Sequence, residues 1–171
     1  GRVAGYQPDV VLVVANKSAP VSITNDLWRR IKFRQPLPEF LGEVLPGVAV
    51  EDVSTETELR RLLAPHTNTL LRWALRTTAE ATRTMGALPV WALIPMPMEP
   101  HDFEEKAGML AMADEAGFTV IDMQDAFAGH VQDDLVITNA DFHPNAGGHR
   151  ILASRLYTEL AAHPGIFEPV R

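Results

Sequence analysis

The sequence contains no cysteine, which removes disulfides, thiolate metal sites and a cysteine nucleophile together. It also lacks a surplus of basic residues: 15 Lys and Arg stand against 22 Asp and Glu, a formal net charge of −7. That balance argues against a surface for nucleic acid or anionic lipid. No long hydrophobic run is present. The longest, Val10 to Ala15, has six residues, against the ~20 needed to cross a bilayer, so no membrane span is expected. The charged, apolar and small-residue succession of a signal peptide is missing from the start, and the compartment stays open. The first residue is Gly1 rather than Met, which reads as a cut in a longer chain or an artificial boundary. What the sequence does hold is 46% apolar residues over 171 positions. That is enough for one globular domain with a core, and too much for a disordered chain.

Its apolar pattern alternates between strand and helix periods. Val10 to Ala15 is a continuous β-branched run between Pro8 and the segment Asn16 to Pro20, the pattern of a strand buried on both faces of a parallel sheet. Gly1 to Gln7 reads as the tail of a preceding helix with Gly5 as its stop. The Pro- and Gly-rich stretch from Gln35 to Gly47 marks a surface excursion, and Thr55 to Leu63 a short helix. Behind Thr67 or Asn68 as a cap, Leu70, Leu71, Ala74, Leu75, Thr78, Ala81 and Met85 recur at helical spacing, and Gly86 ends that helix. Pro89 to Pro95 is a second buried strand. Phe103 to Ala116 is a helix opened by Asp102, Glu104 and Glu105, where negative charge suits the dipole, and stopped by Gly117. Phe118 to Asp122 is a third strand. A last helix from about Asn145 to Ala161 sets Leu152, Leu156 and Leu160 one turn apart. The alternation predicts a three-layer α/β/α fold with a parallel sheet.

In open parallel sheets ligands gather beyond the carboxyl ends of the strands. Asn16 to Pro20, Pro95 to His101, and Asp122 through His143 all fall there. The most specific string is Asp141-Phe142-His143-Pro144-Asn145-Ala146-Gly147-Gly148-His149-Arg150. A His in the loop before a helix, with an acid two residues earlier, makes a base with its orienter. The His takes a proton from a nucleophile, while the acid fixes its tautomer and stabilises the imidazolium. Pro144 stiffens the approach to the helix, and Gly147 and Gly148 let its first turn come close to a neighbour.

This string resembles the last block of the SGNH (GDSL-type) hydrolases, close to Asp-x-x-His-Pro-Asn-x-x-Gly-His. Pro8 to Asn16, a Pro-Asp pair, an apolar strand and then Asn, is similar to that family's third block, usually Gly-x-Asn-Asp. The resemblance covers nearly all of the chain. It implies a flavodoxin-like SGNH fold whose first strands lie outside these residues, so that 1–171 would be a single, N-terminally incomplete domain. By position His143 is then the general base, Asp141 the orienting acid, and Asn16 an oxyanion-hole donor to a tetrahedral acyl intermediate. The implied reaction is serine-type hydrolysis of an ester, removing a small acetyl-like group from a carbohydrate or natural product, with no cofactor. An O-acyltransferase is a related variant.

The sequence departs from the family pattern at three places. Ala140 occupies the usual acid position, and Asp141 stands one residue nearer the His. Lys17 replaces the Asp that usually follows the third-block Asn; Thr24-Asn25-Asp26 offers another Asn-Asp but reads as a helix cap. No Gly-Asp-Ser triplet exists, and Ser18, Ser22, Ser54 and Ser154 are the only serines, none on the expected turn. These departures favour a second reading, a non-catalytic binding or assembly module on a hydrolase-like fold. Val10 to Ala15 would be left as an unpaired apolar edge, to be covered by a dimer mate, a complementing N-terminal segment or a rearranged loop. His149 reads as structural, hydrogen-bonding a loop backbone, and His66, His101, His130 and His163 as surface residues. No His pair has zinc-ligand spacing with a third ligand near it, so no metal is expected. The methionines around Pro95 to Met98, with Trp91, read as core or pocket wall, and Asp122, Asp125, Asp133 and Asp134 as solvent-facing or capping residues.

Overall fold

The computed structural model of the chain describes residues 3–100 and 103–167. After a 3₁₀ turn at Val3–Tyr6, the elements run β1 (Val10–Ala15), α1 (Ala19–Lys32), α2 (Phe40–Val44), α3 (Glu56–Leu63) and α4 (Thr67–Thr84). They continue with β2 (Leu88–Leu93), α5 (Lys106–Glu115), β3 (Thr119–Asp122), β4 (Val136–Thr138), β5 (Asp141–Pro144) and α6 (Ala146–Ala162). They form two compact units: the residues up to 17 together with those from 78 onward, and residues 18–77. Among the described residues no helix is long and apolar enough to cross a membrane.

The first unit is a mixed α/β structure on a three-stranded parallel sheet flanked by helices, in the order β1-β2-β3. Val13 faces Trp91 and Trp91 faces Val120 across it. Its central strand β2 is apolar at every position and buried on both faces, as such a run must be in the middle of a parallel sheet. Val90 and Ala92 turn to one face, where they pack with Ile121, Met123, Phe127, Leu135, Leu152 of α6 and Ile166. The partly buried Leu156 and Leu160 extend that contact along α6.

Both helices that feed the sheet stop in the same way. At the end of α4 the Gly86 N–H bonds Arg83 O and the Ala87 N–H bonds Thr82 O, with Gly86 at φ 78°. At the end of α5 the Gly117 N–H bonds Asp114 O and the Phe118 N–H bonds Ala113 O, with Gly117 at φ 84°. These are Schellman closures. They need a left-handed residue, which glycine adopts without a Cβ penalty. Each releases the chain directly into a strand, as the two glycines predict. Helix α5 starts later than Phe103, at Lys106; Asp102 lies outside the described residues.

Strand β1 corrects one expectation. It is not buried on both faces, since Leu12 and Val14, two residues apart, stay exposed; separately, β2 is its only strand neighbour among the described residues. An apolar β-branched run defines a strand but not its place in the sheet, and the outer place leaves one ladder edge open. The turn before it differs as well: Gly5 sits inside the 3₁₀ turn, and the left-handed residue is Gln7, at φ 47°.

The second unit is helical. Leu27, Leu41, Leu45, Val50, Leu59, Leu63 and Leu70 form its core, and Phe40 stacks on Trp73 with ring centroids 3.6 Å apart. Three expectations change here. The Gln35 to Gly47 stretch is not only a surface excursion, since α2 turns Leu41 and the following Leu45 into the core. Thr24, Asn25 and Asp26 are not a cap but the interior of α1, with Asp26 paired to Arg30 at 3.0 Å and Asn25 accepting from Arg60 at 2.7 Å. Thr67 does not cap α4: its hydroxyl donates backward to Leu63 O and Ala64 O, and the 3₁₀ turn Ala64–His66 leads straight into the helix. Thr55, by contrast, caps α3 in a reciprocal box with Glu58. The hydrogen bonds from the Ser54 and Thr55 N–H groups hold the Glu58 carboxyl below its usual range.

Candidate active site

The carboxyl ends of the three parallel strands are level. The Ile94 N–H donates to Ala15 O at 2.8 Å and the Met123 N–H to Leu93 O at 2.9 Å. Charged side chains tie the segments that leave this edge. Lys17 Nζ lies 3.3 Å from Glu99 Oε1, and Lys106 Nζ 2.8 Å from Asp122 Oδ2. Asp122 Oδ1 also accepts the Gln124 N–H at 2.9 Å, and the Gln124 side chain is buried with its Nε2 unpartnered among the described residues. Sequence reasoning put Asp122 and Asp125 among solvent-facing or capping residues. Asp122 does turn the chain, and both are held in ion pairs, Asp125 by Arg155 at 3.2 Å.

Asp141 and His143 meet. They lie on β5, which pairs antiparallel with β4 in a two-stranded hairpin, not in the loop expected from sequence. Val136 and Pro144 face each other and are both buried, so the next positions along each strand, Ile137 and His143, turn outward. The turn is closed by Thr138 Oγ1, which accepts the Ala140 N–H at 3.2 Å and the Asp141 N–H at 3.0 Å. The ladder slips between its two pairs, Val136 with Pro144 and Thr138 with Asp141, so β5 carries one extra residue in this stretch. Within this irregular stretch the His143 ring Nδ1 lies 2.6 Å from Asp141 Oδ1. The His143 N–H donates to the same oxygen at 3.1 Å. The ring bond first, and this backbone bond second, hold the Asp141 carboxyl below its usual range. The His143 side chain is 73% exposed.

Asn145 anchors this strand to α6. Its Oδ1 accepts the Gly147 N–H at 2.8 Å and the Gly148 N–H at 3.1 Å, capping the helix. Its Nδ2 donates to Asp134 O at 2.8 Å and Val136 O at 3.1 Å, reaching back to the partner strand. A Cβ on Gly148 would lie 2.9 Å from Pro144 Cβ and 3.0 Å from Leu135 O, so the close approach read from the paired glycines belongs to Gly148. The double role of Asn145 was not legible in the sequence, where Pro-Asn before a helix signals only the cap.

Asn16 follows β1 and is half-buried beside Lys17. Ser18 precedes α1, Ser22 lies in α1 with its hydroxyl on Ser18 O, and Ser54 precedes the α3 cap. Ser154 is on the exposed side of α6, about 12 Å along the axis from its start. His149 is exposed on α6, His130 is exposed, and His66 and His163 are half-buried. It is His163, not His149, whose ring meets a backbone carbonyl, that of Glu159 at 2.7 Å. His101 lies outside the described residues. Trp91 is buried, Met96 half-buried and Met98 exposed. Among the described residues no group of three or more His, Asp or Glu side chains is arranged to hold a metal ion.

Chemically, the pair sets one ring nitrogen of His143 against a carboxylate. A neutral imidazole that donates Nδ1–H to a carboxylate carries its lone pair on Nε2, and the exposed ring offers that nitrogen to solvent. Comparison with protein-family models, curated proteins and solved structures finds no match for this chain.

Proposed function

We propose that the chain carries the acid–base half of a serine-type ester hydrolase of the SGNH kind, acting on a small acyl ester of a carbohydrate or natural product. One observation supports this reading above the others: the 2.6 Å bond between His143 Nδ1 and Asp141 Oδ1 on an exposed strand. It orients the ring and leaves Nε2 to take a proton from a hydroxyl nucleophile. In this reading the nucleophilic serine comes from a segment paired along the open edge of β1, and Asn16, at the end of that strand, donates to the oxyanion. The test is labelling of the protein encoded by the full reading frame with a fluorophosphonate, alongside p-nitrophenyl acetate turnover. Expected are a labelled serine and a loss of about 10²–10⁴ in turnover on His143→Ala. An unlabelled protein whose turnover ignores that substitution would overturn the reading.

The second reading, a non-catalytic binding or assembly module, is favoured by a specific observation at the same edge. Lys17, where the family pattern has Asp, is engaged by Glu99 at 3.3 Å. On this reading the exposed Leu12 and Val14 beside it serve a docked strand and not a reaction. The absence of serine labelling together with tight binding of a second copy would support it.

A further inference from the structure

We propose that His143 is itself a nucleophile, taking acyl groups from activated donors such as aryl esters, acyl phosphates and thioesters. The inference needs no serine, so it stands or falls apart from the serine-hydrolase reading. It rests on three features of one strand. Nδ1 is tied to Asp141 Oδ1 at 2.6 Å, which in the neutral ring leaves Nε2 with the lone pair. The side chain is 73% exposed, so a dissolved donor reaches the ring without displacing protein. The carboxylate is itself held: its Oδ1 takes the His143 N–H at 3.1 Å, and the Asp141 N–H is fixed on Thr138 Oγ1 at 3.0 Å. Among the described residues no other histidine ring holds a carboxylate. His163, the other ring with a hydrogen bond, is half-buried on a backbone carbonyl.

The chemistry balances with ester and water alone. The Nε2 lone pair adds to the acyl carbon, a C–N bond forms, and the C–O or C–S bond breaks as the leaving group departs as an anion. Acylation makes Nδ1–H acidic, and its proton passes to Asp141. Water then adds to the acyl-imidazole and gives up one proton to the released anion, the C–N bond breaks, a carboxylic acid leaves, and the ring takes its Nδ1 proton back from Asp141. Histidine belongs to the side chains that form such covalent intermediates. Because imidazole must displace the leaving group unaided, donors with poor leaving groups, such as simple alkyl acetates, are excluded.

The experiment mixes the 171-residue chain with excess p-nitrophenyl acetate and follows p-nitrophenolate release and acetylated peptides by mass spectrometry. Expected are an acetyl group on His143, its discharge by hydroxylamine, and no turnover of ethyl acetate. His143→Gln should abolish that adduct, while His130→Gln leaves it unchanged. Asp141→Asn should keep the adduct at His143 but slow its formation about tenfold, the kinetic equivalent of one hydrogen bond to a charged group. The same variant should shift the ring's ¹⁵N signals from a single Nδ1–H tautomer to a mixture, a change that a merely structural role for Asp141 would not produce. Because His143 is an exposed side chain, circular dichroism of His143→Gln should match that of the parent. An acetyl group confined to other side chains, a rate per histidine no greater than that of free imidazole, or an unchanged rate in His143→Gln would overturn the proposal.

Discussion

Replacing Asn145 tests whether one side chain holds the His143 strand to the helix behind it. Four hydrogen bonds converge on it: two accepted by Oδ1 from Gly147 and Gly148, and two donated by Nδ2 to Asp134 O and Val136 O. Loss of an N-cap costs about 1 kcal/mol, and each donated bond to a backbone carbonyl about another 1 kcal/mol net. Asn145→Ala should therefore weaken the start of α6 by about 3 kcal/mol. Asn145→Ser, which keeps a capping oxygen but cannot reach both carbonyls as a donor, should lose about 2 kcal/mol. Native-state hydrogen exchange of the α6 amides is the assay, because two compact units need not unfold together and a global midpoint would mix them. The order expected is parent, then Ser, then Ala. If Ala costs less than about 1 kcal/mol, or if Ser matches the parent, the bonds to Asp134 O and Val136 O contribute nothing and the anchoring argument fails.

Four further outcomes each follow from a single position. Gly148→Ala, whose Cβ would press on Pro144 Cβ at 2.9 Å and Leu135 O at 3.0 Å, should lower stability by about 1–3 kcal/mol in thermal melts. Gly108→Ala, in α5 with nothing within 4 Å of the new Cβ, should raise it by about 0.5–1 kcal/mol. The Asp141 carboxyl, held below its usual range by the His143 ring and N–H, contributes stability that is present above the unfolded value and is lost as pH falls through the folded one. A carboxyl ¹³C titration should show its midpoint rise in His143→Ala, and an unmoved midpoint would break the link to the ring. If the open edge of β1 pairs copies of this chain, Val14→Lys, at an exposed position on that strand, reduces their association in sedimentation runs while changing stability by no more than about 0.5 kcal/mol. Unchanged association would mean the edge is not the contact.

The elements a single sequence reveals here are those whose signals are local. β2 and β3 follow glycines that must be left-handed, and both glycines are. The cap and Glu58 of α3 stand three residues apart, as a reciprocal box requires. Helix α1 sets Ile23, Leu27 and Ile31 at helical spacing, but its stop carries no glycine. Arg34 takes the left-handed place at φ 50°, with the Gln35 N–H on Arg30 O and its own N–H on Ile31 O. A Schellman closure built on arginine leaves nothing for a composition rule to find. The role of α2 was hidden for a related reason. Pro and Gly around it announce turns, while the burial of Leu41 and Leu45 depends on Leu27, Leu59 and Leu63, which are distant in sequence. The exposure of Leu12 and Val14 is likewise a property of neighbours, because an apolar run is the same string whether or not both its faces are covered.

At the site, the spacing of Asp141 and His143 does not announce a strand, since Asp and Pro are poor strand formers and the segment reads as a loop. What joins them is local: an aspartate can accept the N–H two residues on, and Asp141 Oδ1 takes both that N–H and the ring Nδ1. The ladder to Val136 and Thr138 supplies what propensity does not. Ala140 lies in the turn held by Thr138 Oγ1, outside the strand that carries the ring. The pairing slips by one residue between Thr138–Asp141 and Val136–Pro144, so carboxylate and ring meet in an irregular stretch and not by regular alternation, which no residue pattern in the string announces.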